Sequence, residues 1–311
     1  MRDRDGGLAN TGGCGPVRPD AEAALAEDLG QVGEELELRG QLVVRGSPPR
    51  HAGIIGAGQP TDRALGHDDD VPRVVVCLPT YNERENVQPM VRALGEVIDP
   101  TRDLVLVIDD NSPDGTGVLA DDLAAELPWV EVLHRERKEG LGPAYLAGFR
   151  RALETDAELI LEVDCDFSHD PADVPRLIEA CTAGADLALG SRYAPGGSTA
   201  NWGLARRLVS RGGSLYARVI LGVGVRDLTG GFKCFRRRVL ESVDLEAVTA
   251  RGYAFQIELT YRALRQGFTV VELPIRFCDR VVGGSKMSRT IVAEAIWRVP
   301  ALRLRALRGR L

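Results

Sequence analysis

The feature that most constrains the fold is a regular alternation of short apolar runs and helix-forming segments, which begins at Val74. Apolar runs occur at 74–78, 104–108, 130–133 and 159–163, and segments suited to helices follow the first three at about 82–96, 116–126 and 142–154. Asn82 and Glu85 predict a capping box at the first of these helices. Short apolar runs are typical of buried parallel strands, and their alternation with helices predicts a doubly wound sheet. Ligands of such folds bind beyond the carboxyl ends of the strands.

Charge is distributed unevenly along the chain. Residues 1–71 contain 13 of the 45 acidic and seven of the 39 basic side chains, which leaves 32 of each sign for 72–311. The first 71 residues are also rich in glycine and lack apolar periodicity, so we expect a disordered acidic tail. The neutral remainder argues against a nucleic-acid partner. Since neither a signal-peptide core nor a run of about 18 apolar residues is present, we expect a soluble or peripheral protein.

Two acids follow the fourth apolar run, in the stretch Glu162-Val163-Asp164-Cys165-Asp166. Asp164 and Asp166 can share a metal ion only if the strand ends there and the chain turns, and Ser-His-Asp-Pro at 168–171 supplies a turn. Oxygen donors without a nearby Cys and His pair favour Mg²⁺ or Mn²⁺ over zinc. Mg²⁺ often completes its shell with phosphate oxygens, so the pair points to a nucleotide diphosphate. By itself, Asp-x-Asp is a weak signal, because it more often marks a solvated loop than a metal site.

Polar clusters also follow the first two apolar runs. In Pro79-Thr80-Tyr81-Asn82-Glu83, the tyrosine can stack on a base and the glutamate can accept hydrogen bonds from a ribose or a base. An ordinary acidic helix start is the alternative explanation. The second cluster, Asp109-Asp110-Asn111-Ser112-Pro113-Asp114-Gly115-Thr116, has the composition of a turn, but a turn does not need two adjacent carboxylates. These clusters predict a nucleoside site at the same edge of the sheet.

Other phosphate-binding and catalytic motifs are missing. The sequence has no GxxxxGK[ST] loop and no GxGxxG after a strand, which disfavours a P-loop or a dinucleotide fold. His134 and His169 have no recognisable Ser or Cys nucleophile as a partner, so we expect both to be structural.

Taken together, the polar segments resemble the successive blocks of the polyprenyl (dolichyl) phosphate mannose synthases, which are family 2 glycosyltransferases. The resemblance covers about 72–290. It rests on PTYNE at 79–83, DDNSPDGT at 109–116, GLGPAYLAGF at 140–149, EVDCDFSHDP at 162–171, GSRY at 190–193, DLTGGFKCFRR at 227–237, GYAFQIEL at 252–259 and RVVGGSKMS at 280–288. It implies a GT-A fold, which is an α/β, Rossmann-like doubly wound mixed sheet with helices on both faces. The implied organisation is a tail over 1–71, a glycosyltransferase domain over 72–290 and a basic amphipathic segment over 291–311.

The resemblance also implies roles for individual residues. The nucleotide-sugar site would contain Pro79, Tyr81, Glu83, Ile108, Asp109, Asp110, Asp164, Cys165, Asp166, Arg192 and Arg280. Asp164 and Asp166 would hold the metal, and Ser168 stands where some relatives place a further ligand. Catalysis would depend on Asp164, Asp166, Arg192, Arg280 and Lys286, the last three through phosphates of donor and acceptor.

The activity implied by the resemblance is an inverting transfer of mannose from GDP-mannose to a polyprenyl phosphate, with Mg²⁺ or Mn²⁺ as cofactor. The alternative is transfer of glucose or another hexose from a UDP-sugar. A lipid acceptor implies a cytoplasmic protein that is peripheral on the inner face of the membrane. The need for a separate membrane protein stays open.

The C-terminal segment 291–311 contains five arginines and no acid after Glu294. Apolar residues recur at helical spacing, so the segment is expected to dock on a membrane surface. Pro300 is expected to divide it into two short helices. The alternative is a terminal helix that packs on the core and has a solvated basic end.

Overall fold

The computed structural model describes residues 42–45, 73–248, 250, 252–279, 289–309 and 311. They belong to one compact unit that spans Gly40–Leu311. Its strands are β1 (Leu42–Arg45), β2 (Val74–Thr80), β3 (Leu104–Asp109), β4 (Val130–His134), β5 (Leu159–Glu162), β6 (Leu187–Ser191), β7 (Ser198–Thr199), β8 (Lys233–Arg236), β9 (Thr269–Pro274) and β10 (Arg276–Phe277). Its helices are α1 (Arg84–Gly95), α2 (Thr116–Glu126), α3 (Leu141–Leu153), α4 (Val174–Thr182), α5 (Leu204–Leu221), α6 (Arg237–Ser242), α7 (Gly252–Arg265) and α8 (Arg289–Leu307).

The main sheet has the strand order β1-β9-β6-β8-β5-β2-β3-β4. Strands β5, β2, β3 and β4 are parallel, as are β6 and β9. Strand β8 runs antiparallel between β5 and β6, and β1 runs antiparallel beside β9. A separate parallel pair joins β7 and β10. The predicted doubly wound mixed sheet is therefore confirmed.

The apolar runs are buried because both faces of the sheet are covered. Val75 and Cys77 of β2 pack in a core with α3, α5, α7 and α8, whereas Val74, Val76 and Leu78 pack in a second core with α1, α2 and α4. Successive side chains of a strand point to opposite faces, so an unbroken apolar run serves both cores. This two-sided packing holds the strand ends, where the polar clusters lie, in fixed positions.

The predicted tail is wrong at residues 42–45, which form β1. The segment Leu-Val-Val-Arg pairs with β9 from Leu42 opposite Glu272 to Arg45 opposite Thr269. Its valines suit an extended conformation, and Val44 packs against the core, so tertiary contacts order a short segment that local composition does not reveal. The other residues of 1–71 lie outside the described part of the chain.

The predicted capping box at Asn82 is also wrong. The helix α1 begins at Arg84, and its N-cap is Glu83, whose side chain makes no capping hydrogen bond. The backbone N–H of Arg84 donates to Oδ2 of Asp114 at 3.3 Å instead. Asn82 has a φ of 54°, and its backbone N–H donates to Oγ of Ser112 at 3.1 Å. Asn82 therefore joins the turn after β2 to the turn after β3.

The predicted break at Pro300 is wrong, because α8 continues through it. Proline has no N–H, so the carbonyl of Ile296 lacks its helical donor. The hydroxyl of Tyr216 on α5 donates to this carbonyl at 2.8 Å. One face of α8 packs on the core through Val299, Leu302 and Ala306. In the part of the chain that the structure describes, no helix is both long and apolar enough to cross a membrane.

Candidate active site

A cavity of about 550 Å³ opens at the carboxyl ends of β2, β3, β5 and β6. This volume is within the range of roughly 300–1,000 Å³ that is typical of small-molecule sites. Because β8 is antiparallel, its amino-terminal end and the Thr229–Gly231 loop before it meet at the same edge. The sheet topology therefore brings segments that are far apart in sequence to one site. The predicted residues that line the cavity are Pro79, Tyr81, Glu83, Asp110, Asp164, Cys165, Asp166, Ser168 and Arg192.

Asp164 and Asp166 lie where the chain leaves β5 and turns. The strand ends at Glu162, and Phe167 has a φ of 56°. The hydroxyl of Tyr145, which is buried on α3, donates to Oδ1 of Asp164 at 2.9 Å. The backbone N–H of Ser168 donates to Oδ1 of Asp166 at 3.0 Å. Both carboxylates are thus oriented before any ligand binds.

The donors at this turn fit Mg²⁺ or Mn²⁺. The two carboxylates and the hydroxyl of Ser168 supply oxygen, which is the donor that these ions prefer. Among the described residues, no three His, Cys, Asp or Glu side chains form a group that could hold a metal by themselves. An ion here would therefore complete its shell with phosphate oxygens or water, as Mg²⁺ commonly does.

A buried ion pair lies beneath the two acids. Glu162 of β5 and Lys233 of β8 are directly opposite in the antiparallel ladder, both are 0% exposed, and Nζ lies 3.7 Å from Oε2. Burial raises the pKa of Glu162 to about 7, against the opposing effect of Lys233. Burial lowers the pKa of Lys233, against the opposing effect of Glu162. Each residue therefore favours the charged form of the other, which burial alone would disfavour.

Lys233 also orients a glutamine that lines the cavity. Its ammonium group donates to Oε1 and to the backbone carbonyl of Gln256. An ammonium group can only donate, so the amide oxygen must face Lys233 and Nε2 must point elsewhere. Nε2 is buried, and the amide favours the charged form of the neighbouring Glu162 carboxylate, which opposes the rise in its pKa. The amide of Gln256 is therefore held by the Glu162–Lys233 pair at the wall of the cavity.

The side chains after β2 and β3 form the opposite wall. The ammonium group of Lys138 lies 3.8 Å from the ring centroid of Tyr81. Asp110 is 4% exposed and forms an ion pair with Arg135, which also binds Glu139 at 2.8 Å. Burial raises the pKa of Asp110, and Arg135 opposes the shift. An aromatic ring beside hydrogen-bond acceptors can bind a nucleoside.

Two predicted nucleotide-site residues, Ile108 and Asp109, do not line the cavity. Ile108 belongs to the core, and a Cβ on Gly148 of α3 would lie 2.7 Å from its Cδ1, so the helix packs directly on it. Asp109 accepts hydrogen bonds from the N–H and the hydroxyl of Ser112 at 3.1 and 2.6 Å. Both residues support the turn that carries Asp110. In a strand, only alternate side chains can face the same side, so adjacent Asp109 and Asp110 separate.

Arg192 is held by a buried carboxylate. Its Nε and Nη2 donate to Oδ2 and Oδ1 of Asp227 at 2.7 and 2.6 Å, and Nη2 donates to Thr229 at 2.8 Å. Burial opposes the charged state of both partners, but their mutual attraction prevails, so the pKa of Arg192 is raised and that of Asp227 is lowered. Arg192 faces the cavity as one half of an ion pair, whereas the resemblance implied a cation for phosphates.

His169 lines the cavity but is packed as an aromatic ring. It is 3% exposed and stacks on Phe232 with a centroid distance of 4.9 Å. Burial lowers its pKa to about 4, so the ring is neutral near pH 7. This packing agrees with the structural role expected for it.

Four residues at or near the cavity were not predicted from the sequence, and two predicted residues cannot be placed. Arg280 and Lys286 are outside the described residues. No sequence pattern distinguishes Tyr145, Gln256, Lys233 or Asp227 as site residues, although each lies in one of the segments that resemble the family. A buried charge in an apolar strand, such as Lys233 before Cys-Phe, is a usable signal because such residues are rarely buried without a partner.

The model of a family described as glycosyl transferase family 2 matches residues 75–244. The chain is 46% identical over 259 residues to the polyprenol monophosphomannose synthase of Mycolicibacterium smegmatis, with 81% of this chain and 96% of that protein covered. It is 47% identical over 243 residues to the undecaprenyl-phosphate mannosyltransferase of Micrococcus luteus, with 77% and 99% covered.

Solved structures share the fold. One is glucosyl-3-phosphoglycerate synthase from Mycobacterium tuberculosis in complex with Mn²⁺, UDP-glucose and phosphoglyceric acid, with a TM-score of 0.54 and 21% sequence identity. The alignment covers 73% of this chain and 80% of that one. At this identity the similarity concerns the fold alone.

Proposed function

Because the chain belongs to glycosyl transferase family 2, we propose that it transfers mannose from GDP-mannose to a polyprenyl phosphate. The observation that carries this proposal is the pair Asp164 and Asp166 at the floor of a cavity whose far wall bears Tyr81 and Asp110. Two carboxylates that can hold a metal ion, opposite a wall that can bind a nucleoside, suit a nucleotide-sugar donor. The names of the two relatives at 46% and 47% identity support mannose as the sugar and a polyprenyl phosphate as the acceptor.

The donor would span the cavity from the strand ends of β2 and β3 to the turn after β5. Tyr81 would stack on the base, while Glu83 and Asp110 would accept hydrogen bonds from the nucleoside. The backbone at Cys165 would lie beside the diphosphate, because the thiol packs into the core.

Asp164, Asp166 and the hydroxyl of Ser168 would hold Mg²⁺ or Mn²⁺. Such an ion, when bound, neutralises negative charge on a diphosphate leaving group. Tyr145 keeps Asp164 in position through its 2.9 Å hydrogen bond. Arg280 and Lys286 are proposed to contact phosphates of the donor and the acceptor.

The acceptor chemistry needs no strong general base. A phosphate monoester has a second pKa of about 6 and is already anionic near neutral pH. One of its oxygens would form a bond to the anomeric carbon while the bond from that carbon to the diphosphate breaks. In-line displacement inverts the configuration and yields GDP and polyprenyl phosphate mannose. The neutral, stacked His169 is consistent with a reaction that has no histidine base.

The location follows from the acceptor. A polyprenyl phosphate keeps its chain in the bilayer and its phosphate at the surface, so the enzyme would work as a peripheral protein on the inner face of the membrane. A separate membrane protein as partner is compatible with this arrangement.

The test is transfer of radiolabel into a polyprenyl phosphate by the purified full-length protein with Mg²⁺ or Mn²⁺. We expect labelled lipid from GDP-mannose and little from UDP-glucose. Labelled lipid from UDP-glucose alone would replace the proposed donor by the alternative one. Absence of labelled lipid from both donors, with either ion, would reject the proposed function.

A further inference from the structure

The helix α5 exposes apolar side chains on the face that points away from the core. Leu204, Leu208, Leu215 and Val219 have exposed fractions of 77, 71, 57 and 71%. At 3.6 residues per turn they lie within an arc of about 60°, and we call them the apolar ridge. The buried residues of α5 are Ser214, Ala217 and Leu221, which are centred about 140° away. The ridge is therefore not part of the core.

Arginines border the ridge on one side. Arg207, Arg211 and Arg218 lie within the next arc of about 60° of the helix, and α5 contains no Asp or Glu. A surface helix of a soluble protein normally presents its polar face to water. Apolar residues flanked by arginines are instead typical of helices that lie in the headgroup region of a bilayer.

The first half of α5 is attached to the rim of the cavity. Arg206 forms an ion pair of 2.5 Å with Asp279 and lies 4.3 Å from the ring centroid of Trp202, and all three residues line the cavity. Ser210 accepts a hydrogen bond of 2.7 Å from the hydroxyl of Tyr193. A surface that binds α5 would therefore also lie close to the cavity opening.

The neighbouring helix α8 has further exposed apolar residues. Trp297 is 79% exposed and Leu307 is 68% exposed, although the opposite face of α8 is in the core. The two helices are connected by Tyr216, whose hydroxyl binds the carbonyl of Ile296. Exposed apolar side chains thus occur on both of these adjacent helices, and α8 is also rich in arginine.

We propose that the apolar ridge of α5, with its flanking arginines, inserts into the headgroup region of an anionic lipid bilayer and holds the cavity opening at that surface. The arginines on one side of the ridge, on a helix that has no acidic residue, complement negative lipid headgroups. The phosphate of a polyprenyl phosphate can then enter the cavity while its polyprenyl chain stays in the bilayer. This proposal rests on the proposed function for the identity of the acceptor, but the surface itself is tested independently.

The first experiment measures flotation of the full-length protein with vesicles of phosphatidylcholine and phosphatidylglycerol. The double variant Leu208→Gln/Val219→Gln should bind at least about tenfold more weakly than wild type. Binding then no longer transfers these two apolar side chains from water into the bilayer. Val209→Gln is the matched control. Val209 is 55% exposed on the same helix but lies about 110° from the ridge, so its binding should stay within about twofold. Equal binding by the ridge variant and wild type would overturn the proposal.

A second pair of variants tests the charges. Arg207→Gln/Arg211→Gln should bind vesicles that contain phosphatidylglycerol about tenfold more weakly and should bind phosphatidylcholine vesicles within about twofold of wild type, because only the former have a negative surface potential that attracts arginine. Added salt should reproduce the loss in wild type. An equal loss of binding to both kinds of vesicle would show that the arginines do not recognise the negative charge of the lipid.

The third measurement separates docking from catalysis. With a polyprenyl phosphate in vesicles, the ridge variant should have a KM raised by about tenfold, whereas a short-chain, water-soluble acceptor should be used as by wild type. A loss with both acceptors would mean that the ridge supports the active site and not docking. If light scattering shows a wild-type dimer that the ridge variant abolishes, a second copy covers the ridge and the proposal fails. Wild type that binds vesicles but transfers no sugar rejects the proposed function alone.

Discussion

The two walls of the cavity are built in different ways. On the wall formed by β2 and β3, most side chains are held by hydrogen bonds within short turns. The hydroxyls of Ser112 and Thr116 donate to Asp109 and Asp114 at 2.6 Å each, and the ion pair of Asp110 with Arg135 is the exception. On the wall formed by β6, β8 and α7, they are held by buried charges from distant segments, such as Arg192 with Asp227 and Lys233 with Glu162. Local turns can be recognised in a sequence, whereas long-range ion pairs form only after the strands assemble.

The difference has an energetic consequence. Loss of one hydrogen bond in such a partly buried turn costs about 1–3 kcal/mol, because the remaining polar group loses its partner. Removal of one partner from a buried ion pair costs about 3–5 kcal/mol, because the other charge stays in a medium of low polarity. The wall with buried ion pairs should thus be the more sensitive one to single substitutions.

The largest expected effect is at the acids between the two walls. Asp166→Ala should reduce mannosyl transfer by at least about 10²-fold, because the site loses one of its two carboxylate donors for the metal. The melting temperature should stay close to that of wild type. Ser168→Ala, which removes a weaker donor at the same turn, serves as the matched control and should lose far less. Full activity of Asp166→Ala in EDTA would disprove the assignment of a metal site.

The next effect tests the buried pair. Lys233→Met should lower the free energy of unfolding in urea by about 3–5 kcal/mol, because Glu162 is left buried without its counter-charge. Glu162→Gln/Lys233→Met should recover most of this loss, because neither charge then stays unpaired. The double variant should remain impaired in transfer, since Oε1 of Gln256 has lost the ammonium group that orients it. Recovery of both stability and activity would show that the pair has only a structural role.

On the other wall we expect a smaller and more selective effect. Asp110→Ala should raise the KM for GDP-mannose by about tenfold, equivalent to about 1.4 kcal/mol, and should raise the acceptor KM less. Asp110→Asn keeps the size of the side chain and tests whether its charge matters. Steady-state kinetics with each substrate varied in turn will measure both values. Equal changes in the two KM values would place Asp110 outside the nucleoside site.

The smallest effect concerns the N-terminal residues. A chain that begins at Gly40 should retain turnover within about twofold, whereas one that begins at Val71 lacks β1 and exposes the edge of β9, which should lower its stability by about 1–2 kcal/mol. Thermal unfolding and turnover of both chains will measure these effects. Turnover more than about tenfold slower in a folded chain from Val71, a cost of about 1.4 kcal/mol, would mean that residues 1–70 have a role in the reaction.

The first half of the fold was predictable because its signals are local. The strands at 74–80, 104–109, 130–134 and 159–162 agree with the predicted apolar runs within one or two residues. The polar clusters marked the strand ends at which the cavity lies. The capping box failed because Asn82 and Glu83 are engaged in long-range contacts, which a pattern of four residues does not include.

By itself, the sequence determined the alternating strands and helices, the acid pair after β5 and the blocks that resemble one family, since each depends on residues close together in the chain. Only the tertiary structure decided that β8 lies between β5 and β6 and so places Lys233 against Glu162. It also decided that Pro300 does not end α8, because Tyr216 from another helix binds the freed carbonyl. It placed Asp110 at the cavity and Asp109 beneath it. The physical reason is common to all three, since burial and pairing of polar groups depend on neighbours that only folding brings within a few ångströms.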